Sequence, residues 1–388
     1  MRLSADWLHG SDSRAVTRAL TAEGHLALFV GGCVRNALLG APVSDLDIAT
    51  DATPDETVRL AEAAGLKAVP TGAAHGTITV VAGGRPFEVT TFRRDVATDG
   101  RHAVVAFSTR VEEDAARRDF TMKALYAAPD GAVIDPLGGL ADLRAGRVRF
   151  IGDPAQRIAE DYLRILRFFR FTAWYGDPDL GIDAEGLAAC AAGIPGLGRV
   201  SAERVGHEVR RLLAAPAPAP AVAAMTASGV LAAVLPGADS ALLSVLVACE
   251  SEAGAAHDPI CRLALIGGEN PAERLRLSKA EARRCALLRS LTGASAGAAA
   301  LAYRHGAETA RDVLLLRAAL TGQPLSPDFA AEIATGAAAR FPISAADLMP
   351  ELSGAALGTA LEQLESDWIA SGFTLDRATL IARVRGES

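Results

Sequence analysis

The chain has 388 residues, half of them apolar, and a formal net charge of −7 at neutral pH, enough length and apolar content for substantial cores in two or three domains. Its five cysteines, Cys33, Cys190, Cys249, Cys261 and Cys285, show neither metal-ligand spacing nor a paired framework, which argues against a disulfide scaffold and for a reducing compartment. No apolar run approaches the roughly twenty residues of a membrane span, and Met1 to Leu8 lack a signal-peptide core, so a cytoplasmic protein that engages no membrane is expected.

In chain order, the periodicity predicts a leading helix over 13–23, then a short buried strand at Leu28 to Val30. Gly31-Gly32 follows, a pair that lets the backbone turn and approach a ligand more closely than residues carrying Cβ. Val34 to Leu39 reads as a helix whose first amides face a phosphate, with Arg35 alongside. Asp45 and Asp47 come next. In an extended strand residues i and i+2 point the same way, so two carboxylates share one small volume. Like charges that close repel unless a cation lies between them, and paired hard oxygens suit Mg²⁺. Glycine pairs and Asp-x-Asp also occur as plain turns and by chance, so each alone is weak.

Further along, 54–64 reads as a helix, and Thr77 to Val81 and Glu88 to Phe92 as strands. Glu88, between Phe87 and Val89, is either a core-facing third acid that needs a partner or a solvent-facing residue of an edge strand. His75, beside Gly76, reads as a structural turn, and Cys33 as a small buried residue rather than a nucleophile. From about 146 onward strand signals vanish and Ala, Leu and Arg recur at helical spacing. Between Arg144 and Arg170 seven arginines face three acids, Asp153, Glu160 and Asp161, a local excess that suits phosphate. Asp161 and Arg164, three apart on one helix, are surface neighbours able to present an acceptor and a donor together; Arg167 and Arg170 continue round the adjacent face. The Ala-Pro run 214–221 cannot continue a helix and reads as a stiff connection or a domain edge. His257-Asp258 has no second His or Asp partner at useful spacing and reads as a loop before a helix at 261–266. Arg274, Arg276, Arg283, Arg284 and Arg289 either track an RNA backbone or form a solvated face.

Four blocks stand in a recurrent order: Leu28 to Ile48, Arg117-Arg118-Asp119-Phe120-Thr121-Met122-Lys123-Ala124-Leu125, Ile134 to Leu143, and Glu160 to Phe171, with Val200 to Val205 beyond. Together they resemble the class II tRNA nucleotidyltransferases and bacterial poly(A) polymerases, from about Leu28 to Leu235. The resemblance implies an α+β, polymerase β-like nucleotidyltransferase head with a small mixed sheet (1–145), a helical neck with the nucleotide-reading helix (146–212), and an all-α body and tail that bind RNA (213–388). It implies that Asp45 and Asp47 hold Mg²⁺, with Glu88 as the third catalytic acid. Gly32 and Arg35 would touch the triphosphate, Arg118 and Asp119 the ribose and phosphate. Asp161, Arg164, Arg167 and Arg170 would read the incoming base. The expected substrates are tRNA, CTP and ATP; no pattern specifies an oligomeric state.

Within the family, full CCA addition is favoured over A-only or CC-only addition and over poly(A) synthesis. The segment 93–107 resembles a full-length flexible loop of the CCA-adding type, and 76–92 lacks the basic Gly-Arg-Arg-Phe signature of poly(A) polymerases. Three positions depart from the family pattern: Asn36 in place of Asp, Tyr162 in place of a small residue or Pro, and Lys123 in place of Asn. Lys123 is one of only three lysines, and it exchanges an amide that donates and accepts for a cation that only donates. It either tightens a phosphate contact or disturbs the ribose pocket. A non-enzymatic RNA-binding protein with weakened catalysis is the rival from another class.

Overall fold

A computed structural model describes residues 1–99, 102–349 and 351–385. Two compact units emerge: 1–238 with 268–276, and 239–267 with 277–388. The divisions expected at 145/146 and 212/213 both fall within the first unit.

The first unit is built on a seven-stranded mixed sheet in the order β3-β4-β5-β2-β1-β8-β9. Its strands are β1 (Ala27–Val30), β2 (Asp47–Thr50), β3 (Lys67–Gly72), β4 (Thr77–Ala82), β5 (Arg85–Thr91), β8 (Tyr126–Ala127) and β9 (Val133–Ile134). All pairings are antiparallel except β2 with β5. β1 is buried along its whole length, while β4 alternates buried with half-buried residues, the period of a strand with one face on the core. Helices Ser11–Thr21 and Pro54–Ala63 accompany the sheet. The second starts sharply because Thr53 and Glu56 form a reciprocal capping box with Pro54 in the first turn. β8 and β9 were not legible from the sequence, since two-residue strands carry no period.

The segment 93–107, expected as a flexible loop, is instead an antiparallel ribbon of β6 (Arg93–Asp99) and β7 (His102–Phe107). Its tip, 100–101, lies outside the described residues. His75 closes a short 3-10 turn before β4, as expected of a structural turn.

Beyond 146 the described residues form helices and no further strand. A cluster of Phe120, Phe150, Phe168 and Phe171, with ring centroids 4.9 to 6.3 Å apart, packs helix Leu163–Tyr175 onto the end of the sheet domain. The Ala-Pro run interrupts the helices only briefly: Ala202–Leu213 ends and Ala219–Ala227 begins, with Pro218 at its N-cap and Pro220 in its first turn. In the second unit Trp368 packs against Tyr303, Phe341 and Phe373, and Arg262, fully buried, pairs with Glu250 at 2.6 Å. No helix among the described residues is long and apolar enough to cross a membrane.

Candidate active site

The parallel pairing of β2 with β5 sets Asp47 directly opposite Glu88. On β5, Phe87 and Val89 point into the core, so alternation turns Glu88 to the open face beside Asp47. Glu88 is thus neither core-facing nor on an edge strand, since β4 and β2 flank β5 on both sides. Asp45 stands two residues before β2 begins, in the exposed approach rather than on the strand as expected, with its carboxylate accepting from Ser44 Oγ at 2.8 Å. Burial and the neighbouring carboxylates Glu88 and Asp45 push the Asp47 carboxyl up to about 6, although Arg118 and Lys123 pull it down. This collection of negative charge lacks a sufficient counter-charge. By donor chemistry it fits a hard divalent cation.

The turn before this site depends on Gly31, whose φ of 74° and ψ of −118° place it where side chains strain the backbone. Helix Gly32–Leu38 then begins, with Gly32, Cys33, Arg35 and Asn36 lining a cavity of about 290 Å³ together with Val43, Ser44, Asp45, Asp47, Arg170, Trp174, Tyr175 and Arg211. Arg35 is buried and donates to Tyr175 Oη at 2.8 Å, with its guanidinium 4.1 Å from that ring's centroid. Asn36 donates to the Pro42 carbonyl at 2.9 Å, bracing the loop that leads to Asp45. An aspartate could not make that donation, which explains how this departure from the family pattern is accommodated. Cys33 is buried and its thiol pushed up to about 11 by that burial, so it is no nucleophile.

Arg118 and Asp119 are not among the residues lining the cavity and are held in ion pairs. Arg118 meets Asp114 at 2.7 Å, and Asp114 also accepts from Tyr126 Oη at 2.7 Å. Asp119 is buried between Lys123 and Arg167, each at 2.8 Å. Burial works to raise the Asp119 carboxyl, but Arg167 and Lys123 outweigh it and hold it far below the usual range. The same burial drives the Lys123 ammonium down to about 7 despite Asp119.

The expected single reading helix is a correction. Helix Pro154–Glu160 ends at Asp161, which is extended (φ −156°), and a new helix starts at Leu163. Asp161 therefore lies in the break, its carboxylate accepting from Leu163 N–H at 3.1 Å and pairing with Arg204 at 2.7 Å. Arg164 sits on the next helix, held by Glu160 and the Arg157 carbonyl. Tyr162, the bulky departure, fits because it lies against Gly196, where a Cβ would meet its ring at 2.0 Å. Arg170 alone of this set lines the cavity, paired with buried Glu208 at 2.5 Å. Trp174, Tyr175 and Arg211 were missed from the sequence. Trp174 stands four residues after Arg170, so helical spacing from that cavity residue was the available signal for it.

In the second unit Asp258, Glu308 and Asp312 bring carboxylates within 4.8 Å of one another. The acid partners of Asp258, expected to be missing, thus come from about 50 residues downstream, but Arg284 occupies the cluster with contacts to all three. Arg284 is accordingly no exposed RNA-tracking residue, while Arg274, Arg276, Arg283 and Arg289 are exposed.

Residues 27–149 match the family described as the poly A polymerase head domain, and residues 179–242 the family described as the probable RNA- and SrmB-binding site of polymerase A. The chain is 42% identical over 201 residues to the mitochondrial CCA tRNA nucleotidyltransferase 1 of Mus musculus, covering 52% of this chain and 46% of that protein. It is 40% identical over 224 residues to the CCA-adding enzyme of Geobacillus thermodenitrificans, covering 57% and 54% respectively. The chain thus spans about half the length of the curated relatives it matches. Its fold aligns with a crystal structure of the Bacillus stearothermophilus CCA-adding enzyme in complex with CTP at a TM-score of 0.71 and 25% identity, over 97% of both chains. A Thermotoga maritima CCA-adding enzyme complexed with tRNA shares the fold at a TM-score of 0.70 and 18% identity, over 96% of this chain and 94% of that one.

Proposed function

The chain belongs to the family of tRNA nucleotidyltransferases and bacterial poly(A) polymerases, and on that premise we propose that it adds C, C and A to the 3′ end of tRNA, using CTP and ATP without a nucleic-acid template. The observation that carries the reading is the register of Asp47 against Glu88, with Asp45 at the mouth of the same cavity. Asp45 and Asp47, with Glu88, would hold Mg²⁺. Bound there, the ion would supply a lowered pKa for the RNA 3′-hydroxyl and charge neutralisation for the pyrophosphate that leaves.

The chain's own residues prepare that reaction. Gly32 and Arg35 border the space for the triphosphate, and Arg170 adds a second guanidinium from the helical side. Arg118 and Asp119 take the ribose and phosphate role, each already fixed by its ion pair so that little order is lost on binding. Asp161, Arg164 and Arg167 are assigned to the incoming base. A carboxylate accepts from the amine at C4 of cytosine or C6 of adenine, the position where uracil and guanine carry a carbonyl that repels it. In this scheme residues 1–145 act as the catalytic head, 146–212 as the neck that reads the base, and 213–388 as the body and tail that engage RNA. The unbridged cysteines agree with a reducing, cytoplasmic setting.

The test is to incubate the protein and Mg²⁺ with tRNAs ending before CCA, after C and after CC, supply each nucleoside triphosphate, and resolve product lengths. The expected products are three, two and one nucleotide longer with CTP and ATP together, and none with UTP or GTP. A single A added only to the CC-ended tRNA would replace the reading by A-addition, long A tails by poly(A) synthesis, and no product by RNA binding without catalysis.

A further inference from the structure

Trp174 is an anomaly of the cavity that holds Asp45 and Asp47. It is 41% exposed, and no aromatic contact covers its ring among the described residues. The ring is nonetheless fixed, because Nε1 donates to the Arg211 carbonyl at 2.7 Å. Arg211 itself lines the same cavity, is exposed, and forms no ion pair among the described residues. By contrast, Arg35 and Arg170 in that cavity are engaged by Tyr175 and Glu208. An indole with an oriented open face next to an uncommitted guanidinium is what an unpaired nucleotide recognises: one stacks the base, the other meets its phosphate.

We propose that Trp174 and Arg211 form the platform for the 3′-terminal nucleotide of the acceptor RNA, Trp174 stacking its base and Arg211 meeting its 5′-phosphate. This rests on the reading above that the acids of β2 act on an RNA 3′-hydroxyl. The terminal nucleotide bearing that hydroxyl must lie beside Asp45 and Asp47, as Trp174 does. The residues assigned to the incoming base, Asp161, Arg164 and Arg167, are not among those lining this cavity. Gly32, Arg35 and Arg170, assigned to the incoming triphosphate, line the same cavity, so the terminal nucleotide and that triphosphate meet there, as transfer between them requires. Stacking is indifferent to base identity, as a platform must be when the terminal base changes after each addition.

The test pairs kinetics with fluorescence on the full chain. Trp174→Leu should raise KM for an RNA hairpin ending in CC about tenfold, the loss expected for one base stack, with KM for ATP unchanged. Trp174→Phe should recover most of it, and Arg211→Gln should raise KM for RNA alone. Titration with the same hairpin should quench indole fluorescence in the wild type and not in Trp174→Leu. An unchanged KM for RNA in Trp174→Leu, or a rise in KM for ATP instead, overturns the platform. If the wild type transfers no nucleotide, the reading of the reaction fails, but the titration needs no turnover and still decides: loss of the quench in Trp174→Leu supports the platform, and its persistence overturns it.

Discussion

The acid at position 47 carries a cost that its role explains. Its carboxyl is raised from an ordinary 3.8 to about 6, so the folded chain binds that proton more tightly than the unfolded chain does. Stability from this group is therefore present below about pH 4 and falls as pH rises through 6, by at most about 3 kcal/mol. In EDTA at pH 7.5, Asp47→Asn should raise Tm, while at pH 4 it should not; equal effects at both pH values would contradict the charge account. Asp119 is the opposite case. Asp119→Ala leaves Lys123 and Arg167 buried without their counter-charge and should cost about 3 to 5 kcal/mol in urea unfolding. Lys123→Asn should cost less than about 1.5 kcal/mol, since burial already offsets much of what the ammonium gains from Asp119 and an amide can still donate to it. A larger loss for Lys123→Asn than for Asp119→Ala would refute that ordering. At this scale the sequence was informative about residue types. The pairing of Asp114 and Glu160 with arginines three and four residues away was open to sequence spacing and went unread, whereas Glu208 meets Arg170 across 38 residues and is set by folding alone.

Among the elements, those with a local cause were legible. The Gly31 turn and the capped helix at Pro54 follow from chemistry within a few residues of themselves. Alternation along β5 was legible too, but which neighbour Glu88 would meet was not, because the pairing of β2 with β5 is a crossover spanning about 40 residues. The break at Asp161 and Tyr162 was misjudged since apolar and basic periodicity runs through it unbroken; only the seating of Tyr162 on Gly196 reveals it. A comparable contact holds helix Ala202–Leu213, where a Cβ on Gly206 would stand 1.8 Å from the Leu275 carbonyl oxygen. Gly206→Ala must push backbone from backbone and should cost about 2 kcal/mol or more, against a gain of up to about 1 kcal/mol for alanine in an open helix site. Stabilisation in thermal unfolding would show that the two segments separate without penalty.

Over the whole molecule, the resemblance read from the motifs ends near residue 235, and the compact first unit ends at 238 apart from its returning segment 268–276. That return was invisible in sequence, as was the inclusion of the Ala-Pro run within the unit. The fold nonetheless aligns along nearly the full chain with a CCA-adding enzyme at only 25% identity. Helix packing in the second unit asks chiefly for apolar residues of suitable size, so its sequence can drift where the acid site cannot. The most direct measurement is single-turnover extension of a CC-ended tRNA with ATP and Mg²⁺ by the wild type and by Asp47→Ala, each verified as folded. The account predicts extension by the wild type and a rate lower by about 10³-fold or more for the variant; extension by Asp47→Ala at the wild-type rate would contradict it.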